Sequence, residues 1–157
     1  MKKTVFLNGG QVLRYGENSH QKGFLFTDEN SAGTLAGAIM INGKEMSYNT
    51  YMAAQAALDT VLEFGEPAAV VIKHMNPCGA ATGKNIREAI ETAWFSDPIS
   101  AMGSVIAFNR EFDIDALRFF RGDEVKHLSF TVENDKLVPS EIKRKFIEVI
   151  IAPSYSK

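Results

Sequence analysis

The sequence predicts an α/β fold, layered around a central mixed, largely parallel sheet, and three observations lead there. Residues 68–72 form a short run of apolar, mostly β-branched residues with the length of a buried strand. Two stretches beside it, near 52–64 and 86–93, place apolar residues at three- and four-residue spacing. Two further apolar runs, 103–108 (GSVIAF) and 146–151, follow after helical or polar segments. Strands that alternate with helices pack as layers about one sheet, and such alternation favours parallel pairing.

In chain order, Val5-Phe6-Leu7 reads as a first strand closed by Asn8-Gly9-Gly10. Residues 13–23 (LRYGENSHQKG) are polar and turn-rich, with Arg14, Tyr15, His20 and Lys22 close together. Short strands are expected at 24–27 and 36–41, the second closed by the turn signal Asn42-Gly43. A helix begins at Asn49, with Met52, Ala53, Ala56, Ala57, Val61 and Phe64 on one face, and Gly65 and Pro67 stop it. After the strand at 68–72, a turn built from Asn76, Pro77 and Gly79 is expected. Asn85 caps a second helix that runs through Phe95, with Ile86, Ala89, Ile90 and Ala93 inward. The strand at 103–108 and a short helix at 113–120 follow. Residues 122–145 are charged and weakly patterned, with an exposed hairpin at 128–132 and 136–138. The last strand, 146–151, ends at Ala152-Pro153. With no helix to cover that strand, the expected object is either an excised fragment or a subunit that leans on a partner.

Bulk properties fit one domain spanning 1–157. The chain is 45% hydrophobic and 23% charged, with a formal charge of −2 and a pI near 5.9. Nothing in that balance attracts a nucleic acid polymer or an anionic membrane. No apolar run approaches the roughly 20 residues that span a bilayer. The opening MKKTVFL has too short an apolar run for a secretory signal. A single cysteine excludes an internal disulfide, and a reducing cytoplasm is the expected location.

The chemistry-bearing segment is Val70-Val71-Ile72-Lys73-His74, where a buried strand delivers a cation and an imidazole to the sheet edge. Ligands of open α/β sheets bind beyond the strand ends. A cation beside an imidazole favours the neutral ring, which accepts a proton. The plainer account is a strand-end histidine satisfied by backbone; the adjacent Lys73 tips the balance towards function. Because strand residues alternate in direction, a bend at Asn76-Pro77 is expected to bring both side chains to one site. Pro77-Cys78 fails as a zinc motif: Ala81 stands three residues on, where a second cysteine belongs, and Asn76 replaces the acid two after His74. No metal is expected, and Cys78 reads as a small filler. Arg14-Tyr15, with Gly16, Asn18 and His20, suits forked binding of a phosphate or carboxylate. A surface loop with an aromatic staple accounts for those residues equally well. Phe119 and Phe120 read as core, and the Lys143-Arg144-Lys145 run as a solvated face.

Together these segments resemble the aminoimidazole carboxamide ribonucleotide (AICAR) transformylase domain of the bifunctional purine-biosynthesis family, whose other activity is IMP cyclohydrolase. The matching pieces stand in family order: LRYGENSHQ, GKEMSYN, VIKHMNPCG, SDPISAMGS with IAFNRE, and FIEVIIAPSYS. They cover nearly the whole chain but only about the first half of the family domain, and the resemblance does not extend to the cyclohydrolase domain that usually precedes it. The resemblance implies a three-layer cytidine-deaminase-like fold with the zinc site absent. It implies formyl transfer from 10-formyltetrahydrofolate to the 5-amino group of AICAR. His74 then matches the proton acceptor and Lys73 the group stabilising transition-state charge. Arg14 and Tyr15 match nucleotide contacts, Gly103 a close backbone approach, and Glu148 an acidic substrate contact.

Several positions depart from the family pattern. Ser19 replaces a usual Pro, Met102 and Ser104 replace Phe and Gly around Gly103, and 122–145 looks like a polar insertion. The resemblance also implies that an asparagine, further arginines and much of the folate pocket belong to the family's second half. Active sites form between subunits, so a homodimer or a complementing second-half chain is the expected partner. The competing reading is a non-catalytic nucleotide-binding or assembly module that keeps Arg14-Tyr15 without turnover.

Overall fold

The computed structural model describes residues 7–28, 30–121, 128–133, 136–141 and 145–156. A four-stranded mixed sheet lies at its centre, in the order β4-β3-β5-β8 (Asn76–Thr82, Ala68–Lys73, Ser104–Phe108 and Ile147–Ile151). The α1 helix (Tyr48–Leu62) packs on one face, and α2 (Ile86–Ser96) with α3 (Ile114–Arg121) covers the other. The layering agrees with the sequence reading, but the strand directions correct it. β3 runs antiparallel to both β4 and β5, and only β5 with β8 is parallel. The largely parallel expectation fails because β4 follows β3 through a two-residue turn. A hairpin forces antiparallel pairing, whereas a parallel neighbour needs a long crossover.

The period-two rule explains how one sheet serves two cores. Ala69 and Val71 of β3, with Ile106 and Phe108 of β5, pack under α2 and α3. Their alternates Ala68, Val70, Ile72, Val105 and Ala107 pack under α1. All nine are essentially shielded from solvent, which requires apolar residues at every position rather than at alternate ones. Small residues let α1 lie close, since Ala53, Ala54, Ala57 and Val61 make its buried face. Trp94 is the largest buried side chain on the other face, edge-on to Phe119 with ring centroids 6.1 Å apart. Phe119 is thus a core residue, as expected, and the half-buried Phe120 packs edge-on against it.

The helices start where side-chain caps allow. Asn85 accepts a hydrogen bond from the Glu88 N–H at 2.8 Å and starts α2 as expected. The α1 helix is capped by Ser47 instead, whose Oγ accepts from the Thr50 N–H at 3.2 Å. Gly79 of β4 faces the Ala93 carbonyl of α2 so closely that a Cβ there would collide with it.

The amino-terminal strand is β1, Asn8–Val12, paired antiparallel with β2, Phe24–Thr27. It begins where the sequence reading placed a stop; Val5 and Phe6 lie outside the described residues. The strand expected at 36–41 is absent. A short 3-10 helix occupies Leu35–Gly37, and Ile39, Met40 and Ile41 follow exposed and without a ladder partner. Apolar composition alone did not distinguish that exposed run from a strand. Strands β6 (Leu128–Glu133) and β7 (Lys136–Glu141) form the expected hairpin, whose turn at 134–135 lies outside the described residues. No described helix is long and apolar enough to cross a membrane.

Candidate functional site

The site begins with a loop stitched onto the start of α1. The Leu13 N–H donates to the Gly23 carbonyl at 2.9 Å, and the Arg14 N–H to the Met46 carbonyl at 3.1 Å. The Tyr48 N–H donates to the Tyr15 carbonyl at 3.0 Å, and Asn49 Nδ2 to the Glu17 carbonyl at 2.8 Å. Tyr15 is thereby fixed beside the first turn of the helix. Arg14 stays exposed, its guanidinium 5.7 Å from the Tyr15 ring centroid.

The second component is the end of β3. Lys73 pairs with Asn76, so His74 and Met75 are the two central residues of the hairpin turn. Their φ angles are 51° and 66°, both left-handed. Two positive φ values identify a type I′ turn, which normally takes Asn-Gly because most side chains are strained there. A non-glycine residue in that region costs about 1–3 kcal/mol. The Asn76 side chain supports the turn by donating from Nδ2 to the His74 carbonyl at 3.1 Å. The bend expected at Asn76-Pro77 therefore lies two residues earlier, and Asn76-Pro77-Cys78-Gly79 begins β4. That strand sits at the sheet edge, where a proline missing its N–H is tolerated.

The third component anchors the cation. Lys73 Nζ donates to the Met102 carbonyl at 2.7 Å. The Gly103 N–H, part of the same peptide unit, donates to the Phe146 carbonyl at 2.8 Å ahead of β8. Gly103 has φ 74°, and an added Cβ would meet only the Phe146 ring at ordinary contact distance. The left-handed backbone, rather than crowding, is what calls for glycine there. The Lys73 charge also reaches the turn after α2. Asp97 is held below the usual carboxylate range by the Ser100 hydroxyl and N–H, with smaller help from the Ile99 N–H and Lys73. The Cys78 thiol is pushed up, first by burial and then by the Asp97 charge, against the lowering effect of Lys73. A thiol held protonated is a poor nucleophile. Among the described residues no group of three or more His, Cys, Asp or Glu is placed to hold a metal ion.

These parts enclose an open cleft of about 560 Å³. Tyr15, Lys73, His74, Gly103 and Glu148 all line it, so five of the six residues singled out from the sequence meet at one place. Arg14 is not among the lining residues. Sequence reasoning missed the wall formed by Ser47, Asn49 and Thr50 at the start of α1, and by Glu17 of the preceding loop, whereas Asn18, named beside Arg14-Tyr15, does line the cleft. The Ser-x-x-Thr spacing in SYNT was the available signal for a helix start there. Chemically, the cleft offers an ammonium, an imidazole, two carboxylates (Glu17 and Glu148) and several neutral hydrogen-bonding groups. Such a set suits a polar ligand that carries hydrogen-bond donors and acceptors.

The profile of the AICARFT/IMPCHase bienzyme family matches residues 2–123. The chain belongs to that family. It is also 42% identical, over 155 residues, to the bifunctional purine biosynthesis protein PurH of Halalkalibacterium halodurans. That alignment covers 98% of this chain and 26% of the relative, so the chain spans about a quarter of the curated protein it matches. The family profile ends at residue 123, close to the start of the polar segment at 122–145.

Proposed function

We propose that this chain supplies the proton-accepting part of an AICAR formyltransferase site, acting in the purine biosynthesis for which its relative is named. The supporting observation is the meeting of Tyr15, Lys73, His74, Gly103 and Glu148 around one cleft in a member of the AICARFT/IMPCHase family. The formyl donor is 10-formyltetrahydrofolate, a co-substrate. The AICAR amine attacks the formyl carbon, a new C–N bond forms, and the bond from that carbon to folate N10 breaks. The amine proton passes to His74 and then to the departing N10, leaving tetrahydrofolate and the formamido nucleotide.

Each residue has a physical role in that reaction. An amine conjugated to an imidazole ring is a weak nucleophile, and removing its proton during attack accelerates transfer by roughly 10²–10⁴-fold. The Lys73 ammonium, oriented by the Met102 carbonyl, places positive charge near the oxyanion of the tetrahedral intermediate. Tyr15 and Glu148 orient the nucleotide, and Arg14, exposed beside the Tyr15 ring and outside the lining of the cleft, attracts its phosphate. Completion of the folate side calls for residues beyond these, from a second copy or from the remainder of the relative.

The test is formylation of AICAR by this chain assembled with the rest of a family enzyme, followed as tetrahydrofolate release. Transfer that vanishes in His74→Ala while AICAR still binds supports the proposal. AICAR binding without transfer in the complete assembly would establish the alternative, a nucleotide-binding module.

A further inference from the structure

The strained turn at the tip of the β3–β4 hairpin has no packing reason to be strained. Met75 is 51% exposed and His74 is exposed, so no core contact holds either in its left-handed conformation. Substitution by glycine would relax the second position. An unfavourable backbone that persists without packing support marks a position where another function is served. Two features define what the turn does. Both of its central residues, His74 and Met75, line the cleft, and its exit residue, Asn76, reaches back to bond the His74 carbonyl.

We infer that Met75 and Asn76 are positioning residues for His74: the two-residue turn, closed by the Asn76 amide, holds the imidazole at a fixed attitude over the cleft. This rests on the formyl-transfer reading for its consequence, although the geometric claim stands without it. A side chain carried on an extended strand would point up or down with the pleat. The paired positive φ values turn His74 out of that alternation and into the cleft that Tyr15 and Glu148 line from other elements. Glycine at 75 frees the turn, and alanine at 76 removes its tie, so each variant lets the ring wander; Met75 also lines the cleft, so Asn76→Ala is the variant that leaves every lining side chain in place.

Two measurements on Met75→Gly, Met75→Asn and Asn76→Ala decide the matter. The first needs only the chain: the thermal midpoint, with the His74 ring resonances by NMR. Met75→Gly is expected to raise the midpoint by about 2–4 °C as strain is released, and both Met75→Gly and Asn76→Ala broaden or shift the His74 ring signals towards those of a free histidine. The second uses the assembled enzyme: both variants lower kcat on the order of 10–100-fold at nearly constant KM for AICAR. Met75→Asn, whose side chain enters left-handed backbone readily but with less freedom than glycine, regains most of that turnover. Ring signals unchanged in Met75→Gly and Asn76→Ala would overturn the inference, as would kcat within twofold of wild type or equal losses in kcat and affinity. If the wild-type assembly transfers no formyl group, the proposed reaction falls, while the ring signals still decide whether the turn fixes His74.

Discussion

Replacing Asn109 by alanine should destabilise the chain by about 3 kcal/mol without disturbing the cleft, and the reason lies in one side chain serving three backbone groups. Asn109 Oδ1 accepts from the Ala68 N–H at 2.8 Å, and Nδ2 donates to the carbonyls of Phe64 at 2.9 Å and Glu66 at 2.8 Å. These bonds tie the end of α1 and the start of β3 to the end of β5. Ala68 is fully buried, so its N–H is stranded when the amide is removed, at a cost of about 1–3 kcal/mol. The two carbonyls lose bonds worth about 0.5–1.5 kcal/mol each, partly recovered from water. A sum near 3 kcal/mol is a large share of a typical total stability of about 5–15 kcal/mol. Urea unfolding should show a lower midpoint at unchanged slope, because the surface exposed on unfolding is the same. Asn109→Asp keeps the acceptor for Ala68 but points a carboxylate at two carbonyls, so it should recover only part of the loss. A decrease under 1 kcal/mol in the alanine variant, or full recovery with aspartate, would refute this account of the junction.

Gly79→Ala forces a methyl group onto the Ala93 carbonyl and should destabilise by about 2–3 kcal/mol; melting within a degree of wild type would show that β4 and α2 separate freely. In the assembled enzyme, Lys73→Met should reduce kcat about 10²–10³-fold with little change in KM, and equal effects on both would make Lys73 an anchor for substrate alone. Arg14→Ala should weaken AICAR binding about tenfold, equivalent to 1.4 kcal/mol, and unchanged affinity by calorimetry would remove Arg14 from the site. Lys145 donates to the Phe119 carbonyl at 2.8 Å and lies 4.2 Å from that ring's centroid, and burial, helped by the Arg87 charge, holds its ammonium below the ordinary lysine range. A lowered folded-state value means the fold carries a charging penalty at neutral pH that disappears as pH rises through that value towards the unfolded one. The stability of wild type relative to Lys145→Gln should therefore improve across the alkaline range, and a flat or falling difference would contradict the burial argument.

What the sequence revealed, and what it concealed, follows from the range of the forces involved. The buried strand β3 and the helices α1 and α2 were legible because their signals are local: a branched apolar run, a stripe of small residues ending at Gly65 and Pro67, and the Asn85 cap. Strand directions were not, because they depend on a turn formed by His74 and Met75, two residues that ordinary turn preferences pass over. Proline and glycine at 77 and 79 drew attention to the wrong pair, since Pro77 is tolerated on an edge strand and Gly79 is needed for contact with α2. Residues 36–41 misled in the opposite way, being apolar without a neighbouring strand to complete a ladder. At the site, Lys73, His74 and Tyr15 stood out from their own segments and Gly103 and Glu148 only through the family resemblance, and the fold brings all five around one cleft. The wall from Ser47 to Thr50 stayed hidden because its residues are ordinary cap formers whose position is decided by tertiary packing.

The amide joining Met102 to Gly103 has a mechanical consequence. A peptide group is a flat, stiff plate, and this one is gripped on opposite sides, by an ammonium on its oxygen and by a distant carbonyl on its hydrogen. Each grip draws electron density in the same sense, so each strengthens the other. The plate's far grip is on Phe146, two residues before Glu148, which lines the same cleft as Lys73. One peptide group thus joins the wall that carries Lys73 to the wall that carries Glu148.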